Sequence, residues 1–215
     1  MRMLSVVVIG LLLQDQKKDL KAVNEKMARV KSYHFVIKAV SDGQEKLALE
    51  GEHFAPDAIH IRSEKGEFAS KGDVKLQKTG DEEWKEPGKL RKKIEAADTT
   101  MPHEWVAKMA DEAGAIKREK SDKIGSVTVD LYVAAPGGDA AKRAAAGHPL
   151  WAGVVDWTKA ENALIFSVGR DDLYYRVEQR YDLAKKSGSI TIEFSEYGRA
   201  KCTLPDSVKE KLGLK

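Results

Sequence analysis

Five histidines and one cysteine carry the chemistry best suited to metal ligation or proton transfer: His34, His53, His60, His103, His148 and Cys202. A zinc or transition-metal site needs several such ligands converging, and its usual signatures are short fixed spacings. No His-x-x-x-His and no Cys/His spacing occurs. A single cysteine builds neither a disulfide framework nor a cysteine-based metal site. Cys202, between Lys201 and Thr203, reads as a small, half-buried strand residue. His53 and His60 fall on what read as neighbouring strands, but parity separates them. His53 is in phase with Leu47 and Leu49, whereas His60 is out of phase with Ile59 and Ile61. His53 reads as a strand-end histidine and His60 as a solvated one. Gly137-Gly138 lacks the Gly-Lys-Ser/Thr of a phosphate loop, and no Gly-x-Ser-x-Gly elbow is present. Asp81-Glu82-Glu83 and Gly169-Arg170-Asp171-Asp172 read as turns with solvated charge. The expectation is a non-catalytic protein with no metal and no cofactor.

The elements that would position a binding site are better marked. The chain has 215 residues, 42% hydrophobic and 33% charged, which suits one folded domain with a sizeable core. Net charge is +3 with the two signs interleaved. The densest basic run, Lys89-Leu-Arg-Lys-Lys-Ile94, holds no aromatic residue and reads as a solvated helix face or loop. Nucleic acid is not an expected partner. Met1-Arg2-Met3 precedes an uncharged, mostly apolar run from Leu4 to Leu13, the pattern of a secretory signal. That run is shorter than the ~20 residues a spanning helix needs. No small-x-small cleavage site and no cysteine ends it. Residues 1–15 are therefore expected to be a signal peptide or short anchor, and 16–215 a single domain outside the cytoplasm, periplasmic or tethered through the N-terminus.

Leu20, Val23, Met27 and Val30 recur at helical intervals. The period then changes to two. Tyr33, Phe35, Ile37 and Ala39 share one face, Ser41-Asp42-Gly43 is a turn, and Leu47 with Leu49 marks the next strand. Ile59 and Ile61 alternate with His60 and Arg62, and short segments follow at 67–70, 74–78 and 83–85. Pro102 near a helix start, with Trp105, Met109 and Ala113 in register, predicts a helix ending at Gly114. Strands resume at 115–119 and 126–132, where Val127, Val129 and Leu131 share a face. Residues 139–146 read as a short alanine-rich helix. Three clear strands follow at 163–168, 173–181 and 189–195, then a short strand near 201–204 and a small helix at 206–212. Short alternating strands with frequent turns predict an antiparallel meander.

One-sided strands with few helices leave an apolar face to cover. A long twisted sheet curls. The candidate lining of the resulting groove is Phe35, Ile37, Leu47, Leu49, Ile59, Ile61, Val74, Leu76, Trp105, Met109, Val129, Leu131 and Phe166. Each buried methylene of an acyl chain would contribute about 0.8 kcal/mol there. The same residues would equally fill a solid core, and periodicity does not separate the two.

The order of features resembles the outer-membrane lipoprotein carrier superfamily, the LolA-like and LolB-like proteins, with relatives among mycobacterial lipid-binding lipoproteins. The likeness lies in the helix-then-strand opening from Met27 to Ala39 and in Gly51–Arg62, where a proline follows an apolar strand and a new strand starts at once. It ends in Ile190–Pro205, with a Tyr-Gly bend and a final proline. The resemblance implies an α+β fold, an unclosed antiparallel half-barrel capped by helices. It also implies a monomer that carries a lipid acyl chain or a lipoprotein, loaded or received by an envelope membrane protein. The carriers place an arginine directly before the proline of the second-strand motif, where it helps hold the lid closed; here that position is Ala55. An envelope sensor or protein-interaction module of the same fold, without cargo, is the alternative.

Overall fold

The computed structural model describes residues 16–87, 101–134, 161–183 and 186–214. The first helix, α1, covers residues 16–27 and buries Leu20, Val23 and Met27 on one stripe. Five strands follow as a continuous meander: β1 (Ser32–Ser41), β2 (Gln44–Phe54), β3 (Ala58–Ser63), β4 (Gly66–Lys71) and β5 (Val74–Lys78). Asp42 and Gly43, both at positive φ, make the two-residue connection between β1 and β2. This left-handed pair matches the twist of the strands it joins.

Helix α2 (Pro102–Glu112) comes next, with Pro102 in its first turn, where a missing N–H costs nothing. Then come β6 (Ile116–Arg118), β7 (Asp122–Ile124), β8 (Val127–Ala134), β9 (Glu161–Gly169), β10 (Tyr174–Leu183) and β11 (Lys186–Ser195), followed by α3 (Asp206–Lys211). Among the described residues all eleven strands form one antiparallel sheet, in the order β5-β4-β3-β2-β1-β11-β10-β9-β8-β6, with β7 also on β8. The end strands β5 and β6 do not pair, so the barrel is unclosed.

The segment around 83–85 contributes only an isolated bridge, Gln77 to Lys85. No strand forms at 201–204; the Tyr197-Gly198 bend leads into an extended run ending at Pro205. The leader to Leu13, the basic run at 89–94 and the alanine-rich 139–146 lie outside the described residues.

The register assigns each side chain to a face. Tyr33, Phe35, Ile37 and Ala39 stand opposite His53, Gly51, Leu49 and Leu47 on one side. On the other side of β1, Phe35, Ile37 and Ala39 stand opposite Phe194, Ile192 and Ile190. Carried outward, this inner face takes in Ile59, Ile61 and Phe68 in one direction and Val177, Phe166, Leu164, Tyr132 and Ala134 in the other. These residues form one contiguous core with the buried stripes of α1 and α2.

Candidate functional site

The inner face is apolar across nearly the whole sheet because alternation holds in the long strands. In β1 and β11 the inward positions are almost solvent-free, while Lys38 on the other face is exposed. Phe35, Ile37, Leu49, Ile59 and Phe166 lie in this core, with Leu47 and Ile61 at its margin and Trp105 and Met109 supplied by α2. Helix α1 is fastened over β10 by the Tyr174 hydroxyl, which donates to Asn24 Oδ1 at 2.7 Å. It is joined to α2 by Lys17 Nζ, which donates to the Asp111 carbonyl at 3.3 Å.

Four of the expected lining residues lie elsewhere. Leu76 pairs with Ala69, and Ala69 with His60, so Leu76 and its in-phase neighbour Val74 are on the outer face. Leu76 packs in a second small core with Ala69 and the α3 residues around Val208, and Val74 is 43% exposed. Leu131 pairs with Ser167 while Tyr132 pairs with Phe166, so Val129 and Leu131 also point away from Phe166. In both places the strand carries apolar residues that serve the outer face, and alternation alone does not say which face is inner.

At the open end of the β2–β3 pair, where β2 begins and β3 ends, a groove of about 190 Å³ is lined by Leu47, Leu49, Ser63 and neighbouring charged residues. Ligand sites usually offer ~300–1,000 Å³. The groove is smaller than that.

The opposite end of the inner face is polar and aromatic. Tyr33 stacks on His53 with ring centroids 4.7 Å apart, and the Tyr33 hydroxyl shares a 2.8 Å hydrogen bond with His103 Nδ1 of α2. The two imidazoles meet edge to face at 5.1 Å. Both are buried, and neither ring nitrogen of His53 has a partner of normal geometry; the Pro56 carbonyl approaches it. Both titrations are lowered to about 4, by burial for His103 and by burial together with the neighbouring His103 for His53, against the weaker opposing pull of the Pro56 carbonyl, Glu104 and Asp57. Burial pushes the Tyr33 hydroxyl far above its usual range, so it keeps its proton. The sequence hinted at this cluster through the parity of His53, but the partner on α2 lies fifty residues away in the chain and carried no local signal.

The outer face of β2–β4 holds a second buried polar group. His60 is 2% exposed, not solvated, and stands between Glu52 Oε2 at 3.1 Å and Glu67 Oε2 at 2.9 Å. Arg62 grips both Glu52 oxygens, at 2.9 and 2.5 Å, and reaches Thr203 Oγ1 at 2.9 Å. Burial opposes ionisation of Glu52, but hydrogen bonds from His60 and Arg62 outweigh it and hold the carboxyl below its ordinary range. Every member is satisfied by another, and the cluster fastens the segment before α3 to the sheet. Cys202 in that segment is half-buried. Among the described residues no group of three His, Cys, Asp or Glu side chains is arranged to hold a metal ion.

The arrangement has counterparts among solved structures. The lipoprotein LppX of Mycobacterium tuberculosis superposes with a TM-score of 0.60 at 13% identity, over 89% of this chain and 99% of that one. The chain has a LolA-like fold. LprF of Mycobacterium bovis gives a TM-score of 0.49 at 11% identity, over 90% of this chain and 97% of that one. No protein-family model and no curated protein matches the sequence. In this LolA-like fold the inner face of the open sheet is the surface that α1 and α2 cover. Among the described residues no helix is long and apolar enough to cross a membrane.

Proposed function

We propose that the protein is a non-catalytic, extracytoplasmic lipid or lipoprotein carrier that takes acyl chains between its inner sheet face and the covering helices. The observation that carries this reading is the continuous apolar inner face of an unclosed sheet, running from Phe68 to Ala134 and covered by only two helices among the described residues. A solid two-layer core would serve stability as well, but the open edges β5 and β6 and the groove at Leu47 and Leu49 give the face an entrance. A chain of ordinary lipid length binds firmly with few polar contacts, at about 0.8 kcal/mol per methylene. The export-like leader supports a site of action outside the cytoplasm, where such cargo moves between membranes.

The test is native mass spectrometry of the protein lacking residues 1–14, purified from a bacterial membrane fraction. A bound lipid of defined mass, released on denaturation, supports the reading and names the cargo class. A clean lipid-free mass, with no uptake of a fluorescent fatty acid, overturns it in favour of an interaction module with a solid core.

A further inference from the structure

We propose that His53 and His103 form an acid-operated latch: with both imidazoles neutral, α2 is docked on the inner face, and proton uptake frees its N-terminal end. The latch deepens the lipid-carrier reading by giving the same site a means of release.

The two rings belong to different elements. His53 ends β2 and His103 occupies the first turn of α2, so their contact is also the contact of helix and sheet. Protonation of both would place two like charges at 5.1 Å in a buried site. His103 also sits at the positive end of the helix dipole, where a cation is disfavoured. The surroundings offer little compensation. From β1 comes the Tyr33 hydroxyl, held protonated; from β11, the Phe194 ring; and from the bend beyond it, the Tyr197 ring, both against Tyr33. From α2 itself comes Glu104, whose carboxylate is already engaged by the Met101 N–H at 3.2 Å. From the β2–β3 turn comes Asp57, close enough to favour a charge on His53 but outweighed by burial and His103.

Once α2 lifts, both imidazoles meet water and recover their ordinary affinity for protons, near pH 6.5. Acid therefore favours the lifted state. From pH 7.5 to 5, titration at about 4 when docked and 6.5 when free shifts the opening equilibrium about 25-fold for each histidine. Lifting α2 withdraws Trp105, Val106, Met109 and Ala110 from the core and bares the face they cover.

The experiment is amide hydrogen exchange of α2 in the lipid-free protein at pH 7.5 and pH 5, corrected for intrinsic chemistry. His53→Phe and His103→Gln are compared with a His34→Gln control. The wild type and the control are expected to lose α2 protection by at least 25-fold at pH 5. His53→Phe, which keeps the stacking on Tyr33, is expected to remove about 25-fold of that loss. Equal corrected protection at the two pH values in the wild type overturns the latch, as does an unchanged pH response in both variants. A fluorescent fatty acid gives the second readout: its loss from the wild type at pH 5 should be about 25-fold weaker in His53→Phe. If it never binds at pH 7.5 the carrier reading falls, while the latch is still judged on the lipid-free exchange.

Discussion

Phe35 lies across Gly51: a β-carbon at Gly51 would stand 2.7 Å from Phe35 Cζ and would collide with the His60 carbonyl. The glycine is the gap in β2 over which the Phe35 ring rests. Gly51→Ala is therefore expected to destabilise by about 1–3 kcal/mol, the cost of overpacking a filled core. Urea unfolding checks it, and an unchanged midpoint would remove the glycine from the account of why Phe35 is solvent-free.

The two faces separate stability from binding. Leu76→Ala hollows the small outer core and should cost about 2–5 kcal/mol while leaving fatty-acid uptake unchanged. Leu47→Trp fills the groove at the open end; it should weaken uptake at least ten-fold and alter stability by no more than about 1 kcal/mol. The reverse outcome, binding lost through Leu76 and kept in Leu47→Trp, would place the ligand on the outer face.

Glu52→Gln leaves Arg62 and His60 without their shared carboxylate. Because Arg62 is 25% exposed, water softens the loss, and about 2 kcal/mol is expected. The double substitution Glu52→Leu with Arg62→Met should recover most of it. The Glu52 titration is lowered from its ordinary 4.5, so its contribution is complete above pH 4.5 and disappears as pH falls through the lowered value. Glu52→Gln should flatten the stability profile in that acid range only.

The histidine pair acts in a different window. Both titrations are lowered, so the unfolded chain binds protons that the native one refuses between pH 6.5 and about 4. Stability is complete above 6.5 and falls as pH drops, by up to about 3 kcal/mol for each ring. Denaturant midpoints taken at half-unit steps should show this slope in the wild type and a shallower one in His53→Phe. A flat profile from pH 7 to 5 would show that the rings are solvated.

Much of the fold is legible because the long strands alternate cleanly on the inner side, with His53 of β2 and Gln179 of β10 as buried polar exceptions. Tyr33, Phe35, Ile37 and Ala39 name their own face, and Trp105 with Met109 names the buried stripe of α2. What was not legible is which face a short strand serves. Val74 and Leu76 alternate as cleanly as Leu47 and Leu49, but α3, far along the chain, gives the outer side its own apolar cover. Val127–Ala134 carries apolar residues on both faces, so no period distinguishes them. His60 reads as solvated because it alternates out of phase with the apolar Ile59 and Ile61. Only the pairing of β2, β3 and β4 brings Glu52, Arg62 and Glu67 around it and makes its burial tolerable.

The ladder between β1 and β11 has a consequence for how the molecule comes into being. The first and last strands of the sheet meet at its middle, so the β1–β5 meander can assemble early but keeps one long border of unpaired backbone groups beside Phe35 and Ile37. That border is ten residues long and Lys38 is its one Lys, Arg, Asp or Glu, so it has little of the shortening and charge by which sheets ordinarily discourage sticking to a neighbour. It is closed only by β11, after every other strand has been made. Such sequence-distant pairing slows folding, and a growing chain is at its most aggregation-prone just before its last strand arrives.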